Sequence, residues 1–416
     1  MKIAVVSKSD RNGGGASRVA EDLATWLNEA GHSTDHYTAF RFKQSPKPFQ
    51  KSVYGRGRRS HVCKSVHNTT YRYGFPELLP IEYWVGFGRH LNQYDVVHFH
   101  DLYTSISPFS LALSTLKKPT FMTVHDCSAF TGGCLYPLDC QQYKTHCHSC
   151  PQLPLNSDTG KPIPDRTRSL QTIKRQVAKH CSVRYLFPSA WMARQASFVF
   201  ENKVPPAVVP NGLDLSLYHR MVNKVSKHAA KTQLEIDSNR PTVTISAHCL
   251  DDPRKGVKYA ILALQSIREL SPLVLTIGFI DDELRQALAG LEVRAFGYVE
   301  DPQKLASIYL ATDVLLFCTL ADNLPLTVLE AMAASAVVIS FATGGVPEII
   351  KSGHNGILIE PANQEALNSS LREWMRSPQK IAIGKRARET IESNFTRHKF
   401  IEQHLQIYKK SIHSSL

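Results

Sequence analysis

Residues 1–31 read MKIAVVSKSDRNGGGASRVAEDLATWLNEAG, and this stretch decides the fold. The apolar run at residues 2–7 predicts a buried strand, and the three glycines at 13–15 follow it. An amphipathic helix is predicted from Ala16 to Ala30, where Gly31 stops it. A strand, a glycine-rich turn and a helix in this order are typical of the opening unit of a doubly wound parallel sheet.

Further strands are predicted along the rest of the chain, with helical patterns between them. They cover residues 95–100, 120–125, 183–188, 242–246, 273–279, 314–317, 337–340 and 356–359. This alternation indicates an α/β fold with mostly parallel sheets and helices on both faces. Because the pattern restarts after the proline-rich segment 205–210, we place the domain boundary there. The predicted parts are an N-terminal domain, 1–205, a C-terminal domain, 206–390, and a helix within 391–416 that packs back on the N-terminal domain.

Length and composition indicate a globular protein with an anionic partner. The 416 residues suffice for two domains, and 43% hydrophobic with 20% charged residues is ordinary for a soluble chain. The net charge of +13 favours a nucleotide, a lipid headgroup or a nucleic acid as partner. No apolar run approaches the roughly 18 residues of a membrane span, and the first residues lack the apolar core of a signal peptide. We therefore expect a cytoplasmic protein that can lie peripherally on the inner face of the cytoplasmic membrane.

Residues 40–73 mix basic and aromatic side chains. Such a run is usually a solvated loop, but the mixture also suits a membrane surface that carries anionic lipid. The basic residues are Arg41, Lys43, Lys47, Lys51, Arg56, Arg58, Arg59, Lys64 and Arg72.

Histidine–aspartate steps follow two of the predicted strands. His98, His100 and Asp101 end one strand, and His125 and Asp126 end another. Ligands of parallel sheets bind beyond the carboxyl ends of strands, so two such steps favour a functional site. A single histidine at such a position is more often structural.

Four of the nine cysteines are clustered, at Cys134, Cys140, Cys147 and Cys150. An odd, clustered set is not typical of a disulfide framework in a reducing cytosol. Four thiolates can form a tetrahedral structural zinc site, and the final Cys-x2-Cys supports one. Buried free thiols and a redox-labile loop are the alternative interpretations.

The stretch ADNLPLTVLEAMA, residues 321–333, places Asp322 and Glu330 eight residues apart across a loop that enters a helix. Upstream lies the basic pair Arg254-Lys255. Together they suggest a sugar-nucleotide site, because cations can neutralise a diphosphate and carboxylates can bind sugar hydroxyls. The alternative is structural, since Thr327-x-x-Glu330 also matches a helix capping box.

The chain resembles glycosyltransferase family 4, whose GT-B fold has two Rossmann-like doubly wound domains with the active site between them. A closer resemblance is to transferases of exopolysaccharide, capsule and O-antigen assembly, including the colanic-acid type. Its motifs are Gly13–Gly15 with Arg18, Thr123–Cys134, the cysteine-rich loop to Pro151, Pro188-Ser189, Pro210–Asp214, Arg254–Gly256, Asp322–Glu330 and Gly344–Glu348.

This resemblance implies roles for individual residues. Arg254 and Lys255 would bind the diphosphate, and Glu330 the ribose hydroxyls. Asp322 would lie near the donor sugar, and His125 beside the reacting sugar. The implied catalytic residues are His125, Asp322, Arg254 and Lys255; the donor site adds Gly13, Gly14, Gly15, Asn323, Leu326, Thr327 and Glu330; the acceptor site has His100 and Asp126. This chain departs from the family at Asp322, where Glu is usual, and at Ala247-His248, where Gly-Arg is usual.

The implied activity is retaining transfer of a sugar from a UDP- or GDP-sugar to a lipid-linked glycan, without a catalytic metal. The transition state would be oxocarbenium-like, with charge growing on the leaving diphosphate. A GT-B sugar-nucleotide epimerase and a phosphorylase are alternative enzymes. A basic nucleic-acid-binding protein is an alternative of another class, but it would leave the acidic pair unexplained.

Overall fold

The computed structural model describes residues 1–42, 46–156, 160–200, 206–224 and 226–413. The chain divides into two compact units. Unit 1 comprises Met1–Pro210 and Phe400–Leu416, and unit 2 comprises Asn211–Lys399. The predicted boundary adjoins residues 201–205, which lie outside the described residues.

Unit 1 is built on a seven-stranded parallel sheet with the order β3-β2-β1-β4-β5-β6-β7. Its strands are β1 Lys2–Ser9, β2 Ser33–Phe40, β3 Gln50–Ser52, β4 Val96–Phe99, β5 Thr120–Thr123, β6 Val183–Phe187 and β7 Ala207–Val208. Its helices before the domain boundary are α1 Gly15–Glu29, α2 Arg58–Arg72, α3 Ile81–Val85, α4 Pro108–Thr115, α5 Thr167–His180 and α6 Ala190–Ser197. The order reverses between β1 and β4, so the carboxyl ends of these two strands flank the topological switch point.

Unit 2 contains a six-stranded parallel sheet with the order β10-β9-β8-β11-β12-β13. The strands are β8 Thr242–Cys249, β9 Leu273–Phe279, β10 Glu292–Ala295, β11 Val314–Phe317, β12 Val337–Phe341 and β13 Ile357–Ile359. The helices are α7 Ser216–Lys224, α8 Lys227–Gln233, α9 Val257–Gln265, α10 Asp282–Ala287, α11 Pro302–Leu310, α12 Leu326–Ala333, α13 Val346–Ile349, α14 Gln364–Arg376 and α15 Lys380–Asn394. The centre of the sheet is buried on both faces, because β11 and β12 consist entirely of buried residues.

The predicted fold class is confirmed, and every predicted strand is present. Strands β2, β3, β7 and β10 were not predicted. The interpretation of residues 40–73 as a solvated loop is wrong for residues 58–72, which form α2, and for residues 50–52, which form β3. Cys63 and His67 on one side of α2 are buried, and His67 hydrogen-bonds Glu82 of α3 at 3.0 Å. Lys43 lies outside the described residues.

The last helix, α16 Arg397–His413, contributes its later residues to unit 1. It is separate from α15, so the helix predicted within 391–416 begins later than residue 391, and residues 414–416 lie outside the described chain. The Phe400 ring meets Trp26 of α1 edge-on at 5.9 Å, and the Tyr408 hydroxyl bonds His98 Nδ1 at 2.5 Å. No helix in the described parts of the chain is long and apolar enough to span a bilayer.

His404 of α16 is a buried neutral group that makes unit 1 sensitive to acid. It is 1% exposed, and its Nδ1 lies 2.7 Å from the Phe400 carbonyl oxygen. Burial lowers the pKa of His404 to about 4, although that hydrogen bond opposes the shift. An unfolded histidine titrates near pH 6.5, so between pH 6.5 and 4 the unfolded chain binds a proton that the folded chain does not.

We expect the free energy of unfolding to be maintained above pH 6.5 and to fall as the pH decreases towards 4. His404→Phe, which keeps a ring against Phe400, should flatten this dependence by up to about 1.4 kcal/mol per pH unit. Denaturant titrations of both proteins at several pH values measure the difference. Parallel pH profiles for the two proteins would contradict the prediction.

Candidate functional site

The basic pair of unit 2 lies on a short turn between β8 and α9. Residues Pro253–Lys255 form a 3-10 turn whose N-cap is Asp252, and the Asp252 side chain accepts from the Arg254 N–H at 2.9 Å. Gly256 then starts α9 with φ 62°, and a Cβ there would lie 2.0 Å from the Cys318 carbonyl oxygen. Only glycine fits this close approach without strain.

Hydrogen bonds from the backbone and from the Arg254 side chain join this turn to the loop after β11. The Leu320 N–H donates to the Arg254 carbonyl oxygen at 2.8 Å. In return, the Arg254 guanidinium donates to the Ala321 carbonyl oxygen at 3.2 Å. The two loops therefore hold the basic pair beside Asp322, 67 residues away along the chain.

Each cation of the pair is matched by a carboxylate. Lys255 Nζ lies 2.7 Å from Asp322 Oδ2, and Arg254 Nη2 lies 2.9 Å from Asp252 Oδ2. The Lys255 and Asp322 side chains are 17% and 14% exposed, so a ligand can reach both. The structure thus brings Arg254, Lys255 and Asp322 together, as the sequence predicted.

The remaining donor-site residues lie on the following loop and on α12. The Asn323 N–H donates to Asp322 Oδ1 at 2.9 Å, and Leu326 and Thr327 are the first two residues of α12. Glu330 is on the same helix and 2% exposed. The capping-box alternative is wrong: the N-cap is Pro325, which has no capping side chain, and Thr327 lies inside the helix.

In unit 1 the predicted histidines form a stack at the ends of β4 and β5. His100 Nδ1 lies 2.9 Å from His125 Nε2, and the His98 ring lies 4.4 Å from His100. Burial lowers the pKa of His125 to about 3 and the pKa values of His98 and His100 well below their usual value. All three rings are therefore neutral at neutral pH. His100 is 1% exposed, which gives it a position behind His125; its contact with an acceptor stays a prediction.

Asp101 and Asp126 extend this group. Burial and the charge of Asp126 raise the pKa of Asp101 to about 7, against the influence of Lys8. Burial also raises the pKa of Asp126, whose side chain accepts from the Ser128 N–H at 2.8 Å. Because its carboxylate already caps the turn after β5, Asp126 also orders this loop, and acceptor binding by it stays a prediction.

The glycine turn of unit 1 shapes the start of α1. Gly13 ends a 3-10 turn, Gly14 is the N-cap of α1 with φ 108°, and Gly15 is its first residue. This start has no side-chain cap and no acidic residue in its first turn. Such a helix start is compatible with an anion, and the predicted phosphate contact stays a prediction.

The four clustered cysteines line one cavity of about 300 Å³, together with His148. The Gly132 N–H donates to Cys147 Sγ at 3.3 Å, and burial together with the neighbouring thiols raises the pKa of Cys134 to about 12. Within the described ranges, no three His, Cys, Asp or Glu side chains are placed so that they could hold a metal ion. The structural zinc therefore stays a prediction.

Sequence reasoning missed three residues that support these groups. Asp252 pairs with Arg254, and its position immediately before Pro253 and the basic pair was a usable signal. Lys174 donates to the Ser128 carbonyl oxygen at 2.8 Å and so holds the loop after Asp126. Lys8 lies at the end of β1 and affects Asp101 and Asp126. The last two contacts depend on distant segments, so local sequence gave no signal for them.

Two family models match consecutive parts of the chain. The Glycosyl transferase 4-like domain matches residues 14–212, and Glycosyl transferases group 1 matches residues 226–394. With its two Rossmann-like sheets, the chain belongs to the glycosyltransferases of the GT-B fold. This membership excludes the nucleic-acid-binding alternative as an account of the fold and its motifs.

One curated relative and two solved structures illustrate what this chain is similar to. A putative colanic acid biosynthesis glycosyl transferase, WcaC, of Escherichia coli is 25% identical over 274 residues, 62% of each chain. A sucrose-phosphate synthase structure from Thermosynechococcus elongatus matches with a TM-score of 0.73 and 17% identity over both whole chains. The Anabaena protein Alr3699/HepE in complex with UDP-glucose matches with a TM-score of 0.66 and 16% identity, over 99% of this chain and 100% of that one. The chain spans 56–62% of the length of the first curated relatives it matches.

We expect protein purified without added metal to contain about one zinc per chain if the four thiols form a structural site. Elemental analysis of the wild type and of Cys147→Ser measures this. Cys318→Ser, which changes a buried cysteine of unit 2, is the control and should keep the metal. A metal-free wild type whose four loop thiols react freely in the native state would refute the prediction.

Proposed function

We propose that the protein transfers a sugar, with retention of anomeric configuration, from a UDP- or GDP-sugar to a hydroxyl of a lipid-linked oligosaccharide. The observation that carries the donor half is the group of Arg254, Lys255 and Asp322, held by two hydrogen-bonded loops at the carboxyl ends of β8 and β11. The relative WcaC supports an assembly step of a surface polysaccharide, and the complex of HepE with UDP-glucose supports a nucleotide-sugar donor.

The basic pair suits the departure of a diphosphate. In this transfer the bond between the anomeric carbon and the diphosphate oxygen breaks, and a bond to the acceptor oxygen forms as the acceptor loses its proton. Negative charge grows on the leaving diphosphate. Cations already fixed in place stabilise that charge most in the transition state, which lowers the barrier.

Donor binding requires Lys255 to exchange its partner. Without a ligand, the Lys255 ammonium is paired with Asp322 at 2.7 Å. A diphosphate carries more negative charge than one carboxylate and therefore competes for Lys255. Asp322 then becomes available to accept hydrogen bonds from the hydroxyls of the donor sugar. Arg254 stays anchored through the Ala321 carbonyl oxygen and Asp252.

His125 serves the reacting sugar as a neutral imidazole. Its pKa of about 3 excludes a role as a cation at neutral pH. A neutral ring can exchange hydrogen bonds with a sugar hydroxyl, and its Nε2 bond to His100 fixes the orientation of the ring. We assign His100 to positioning His125, because its 1% exposure leaves it no open surface of its own.

We propose that the outward face of α2 contacts the membrane that carries the lipid-linked acceptor. Arg58, Val62 and Arg72 share this face at helical spacing, and all three are exposed. The helix has no acidic residue, and in the neighbouring α3 the Trp84 side chain is 56% exposed. Basic residues beside an exposed tryptophan match the charge and the interfacial layer of an anionic bilayer. We therefore propose that this face docks unit 1 on anionic lipid.

We expect Lys255→Ala to weaken UDP binding by about 10- to 100-fold, the loss of one charge-assisted hydrogen bond. Asp322→Asn, which removes the carboxylate competitor, should bind UDP at least as tightly as the wild type but lose the added affinity for UDP-glucose.

His125→Ala should keep its UDP affinity within a few-fold while transfer decreases strongly. Calorimetry with UDP, GDP, UDP-glucose and GDP-mannose gives the affinities, and nucleotide release in the presence of a membrane lipid extract gives the rate.

The melting temperature of each variant separates a lost contact from a lost fold. A wild type that binds none of these nucleotides would refute the proposed function. Unchanged UDP affinity in folded Lys255→Ala would remove the basic pair from the donor site. A folded His125→Ala variant with full transfer activity would remove His125 from the reaction. Nucleotide-sugar turnover that yields an epimerised free sugar without an acceptor would favour the epimerase alternative.

We expect binding to phosphatidylglycerol vesicles to rise with their anionic fraction and to fall with salt, because each basic residue near the surface contributes about 1 kcal/mol. The double variant Arg58→Glu/Arg72→Glu should reduce co-sedimentation by at least about 10-fold. Lys409→Glu/Lys410→Glu on exposed positions of α16 makes the same charge change elsewhere in unit 1 and should have a smaller effect. Equal losses in both double variants would contradict a docking face at α2.

A further inference from the structure

Two buried residues of opposite charge connect the loops that follow β4 and β5. Glu77, in the segment before α3, is 1% exposed, and Lys174 of α5 is 7% exposed. Lys174 Nζ lies 3.7 Å from Glu77 Oε1. The two loops begin with the histidine–aspartate steps of unit 1, so this pair lies between the segments that carry the candidate residues for the reacting sugar and the acceptor. We refer to Lys174 and Glu77 as the buried bridge.

Each member of the bridge holds one of the two loops. Lys174 Nζ donates to the carbonyl oxygens of Ser128 and Thr131, at 2.8 Å and 3.3 Å, in the loop after β5. Glu77 Oε2 accepts from the Thr104 N–H at 3.2 Å, in the loop after β4. Residues of both loops line one cavity of about 350 Å³ together with the bridge. The ion pair therefore links one loop to the other through the protein interior.

The sheet itself leaves the spacing of these loops to side chains. The register of β4 with β5 ends where Phe99 lies opposite Met122. After this point the His100 N–H donates to a carbonyl oxygen of β1 at 2.9 Å, and the Val124 N–H donates to a carbonyl oxygen of β6 at 2.8 Å. The two chains thus hydrogen-bond the strands on their outer sides. A contact such as the buried bridge is needed to fix one loop relative to the other.

The backbone at Thr104 shows how firmly the bridge holds the loop after β4. Thr104 has φ 64°, a left-handed conformation that is strained for a residue with a branched Cβ. Such a conformation persists only where the surrounding structure imposes it. The charge-assisted hydrogen bond from the Thr104 N–H to the Glu77 carboxylate is one such constraint.

The charges of the bridge also act on the two aspartates. Burial raises the pKa of Asp126, and the positive charge of Lys174 opposes this shift. Burial and the charge of Asp126 raise the pKa of Asp101 to about 7, and the charge of Glu77 adds to the shift. Lys8 of β1 lowers the pKa of both aspartates. These electrostatic effects agree with the hydrogen bonds in placing the bridge close to the histidine–aspartate steps.

We propose that the buried bridge positions His125 and Asp126 for the transfer reaction by fixing the distance between the loops after β4 and β5. This inference rests on the proposed function and adds two residues that act through the loops and not by contact with a substrate. A buried ion pair contributes little net stability, because the desolvation of both charges offsets their attraction. Its main effect should be on the rate, since a misplacement of about 1 Å near the reacting groups can slow a reaction by about 100-fold.

The test separates the rate of transfer from the stability of the fold. Lys174→Met leaves the Glu77 carboxylate buried without its cation, so the melting temperature and the transfer rate should both decrease. The double variant Glu77→Gln/Lys174→Met contains neither charge and should regain most of the lost melting temperature. Its transfer rate should stay about 10- to 100-fold below that of the wild type, because the Ser128 and Thr131 carbonyl oxygens still lack their donor. Its UDP or GDP affinity, measured by calorimetry, should stay within a few-fold.

A buried lysine of unit 2 provides the matched control. Lys231 is 3% exposed, and its Nζ donates to the Arg240 carbonyl oxygen and to Asp313 Oδ2, each at 2.7 Å. Lys231→Met removes the same kind of ion pair far from the histidines in the sequence. It should lower the melting temperature and leave the transfer rate of the folded protein unchanged.

Histidine side-chain NMR gives a measurement that does not depend on activity. In protein labelled with ¹⁵N at histidine, the His100 and His125 signals are assigned by their loss in His100→Gln and His125→Gln. The nitrogen shifts of both rings should change in the double variant, because their 2.9 Å contact depends on the spacing of the loops, and should be retained in Lys231→Met.

A double variant that regains the transfer rate together with its melting temperature would overturn the proposal, and so would unchanged His100 and His125 shifts in that variant. A wild type that binds no nucleotide and transfers no sugar would refute the proposed function instead. In that case the ring shifts would still show whether the bridge holds the two histidines together.

Discussion

The hydrogen bonds between the Arg254 turn and residues 319–321 are the constraint on which the candidate site of unit 2 depends. The carbonyl oxygen of Arg254 accepts a hydrogen bond from the Leu320 N–H. The guanidinium of Arg254 donates a hydrogen bond to the Ala321 carbonyl oxygen. Gly256 brings the backbones together at the Cys318 carbonyl oxygen, where any side chain would collide. Because both loops leave neighbouring strands at the same sheet edge, this contact determines where Lys255 meets Asp322.

Much of this architecture could be predicted because short stretches of sequence indicate the strands and turns directly. Strands such as β11 and β12 are short apolar runs buried on both faces, and the glycines at 13–15 indicate the first turn. β2 was missed because its buried positions include Thr34, His36 and Thr38, which do not look like a core strand. Such polar residues can be buried because they have partners, as His36 has in the Ser7 hydroxyl at 2.8 Å. α2 was missed because its sequence is rich in basic residues and lacks a clear apolar periodicity. Its buried residues are Cys63 and His67.

In the candidate sites too, the sequence predicted which residues lie at strand ends but not which distant residues they contact. The sequence placed His100 and His125 at the ends of adjacent strands, and the structure pairs them directly across 25 residues. It could not show that His100 is buried or that His98 bonds Tyr408, 310 residues away. The capping box at Thr327 failed for a local reason, since Pro325 already occupies the N-cap and α12 begins one residue before Thr327. A spacing alone does not reveal where a helix begins.

The two units differ in the kind of chemistry they can support. The candidate site of unit 2 is ionic: Lys255 and Arg254 are each paired with a carboxylate, and under the proposed function a diphosphate would replace Asp322 as the partner of Lys255. Unit 1 offers buried groups that burial keeps neutral or readily protonated, with His125 at a pKa of about 3 and Asp101 at about 7. A neutral hydroxyl acceptor needs hydrogen bonds without a strong field, whereas a leaving diphosphate needs fixed positive charge. The different electrostatic character of the two groups arises from burial at the ends of β4 and β5 and from loop contacts at the ends of β8 and β11. It agrees with what the two proposed substrates would require.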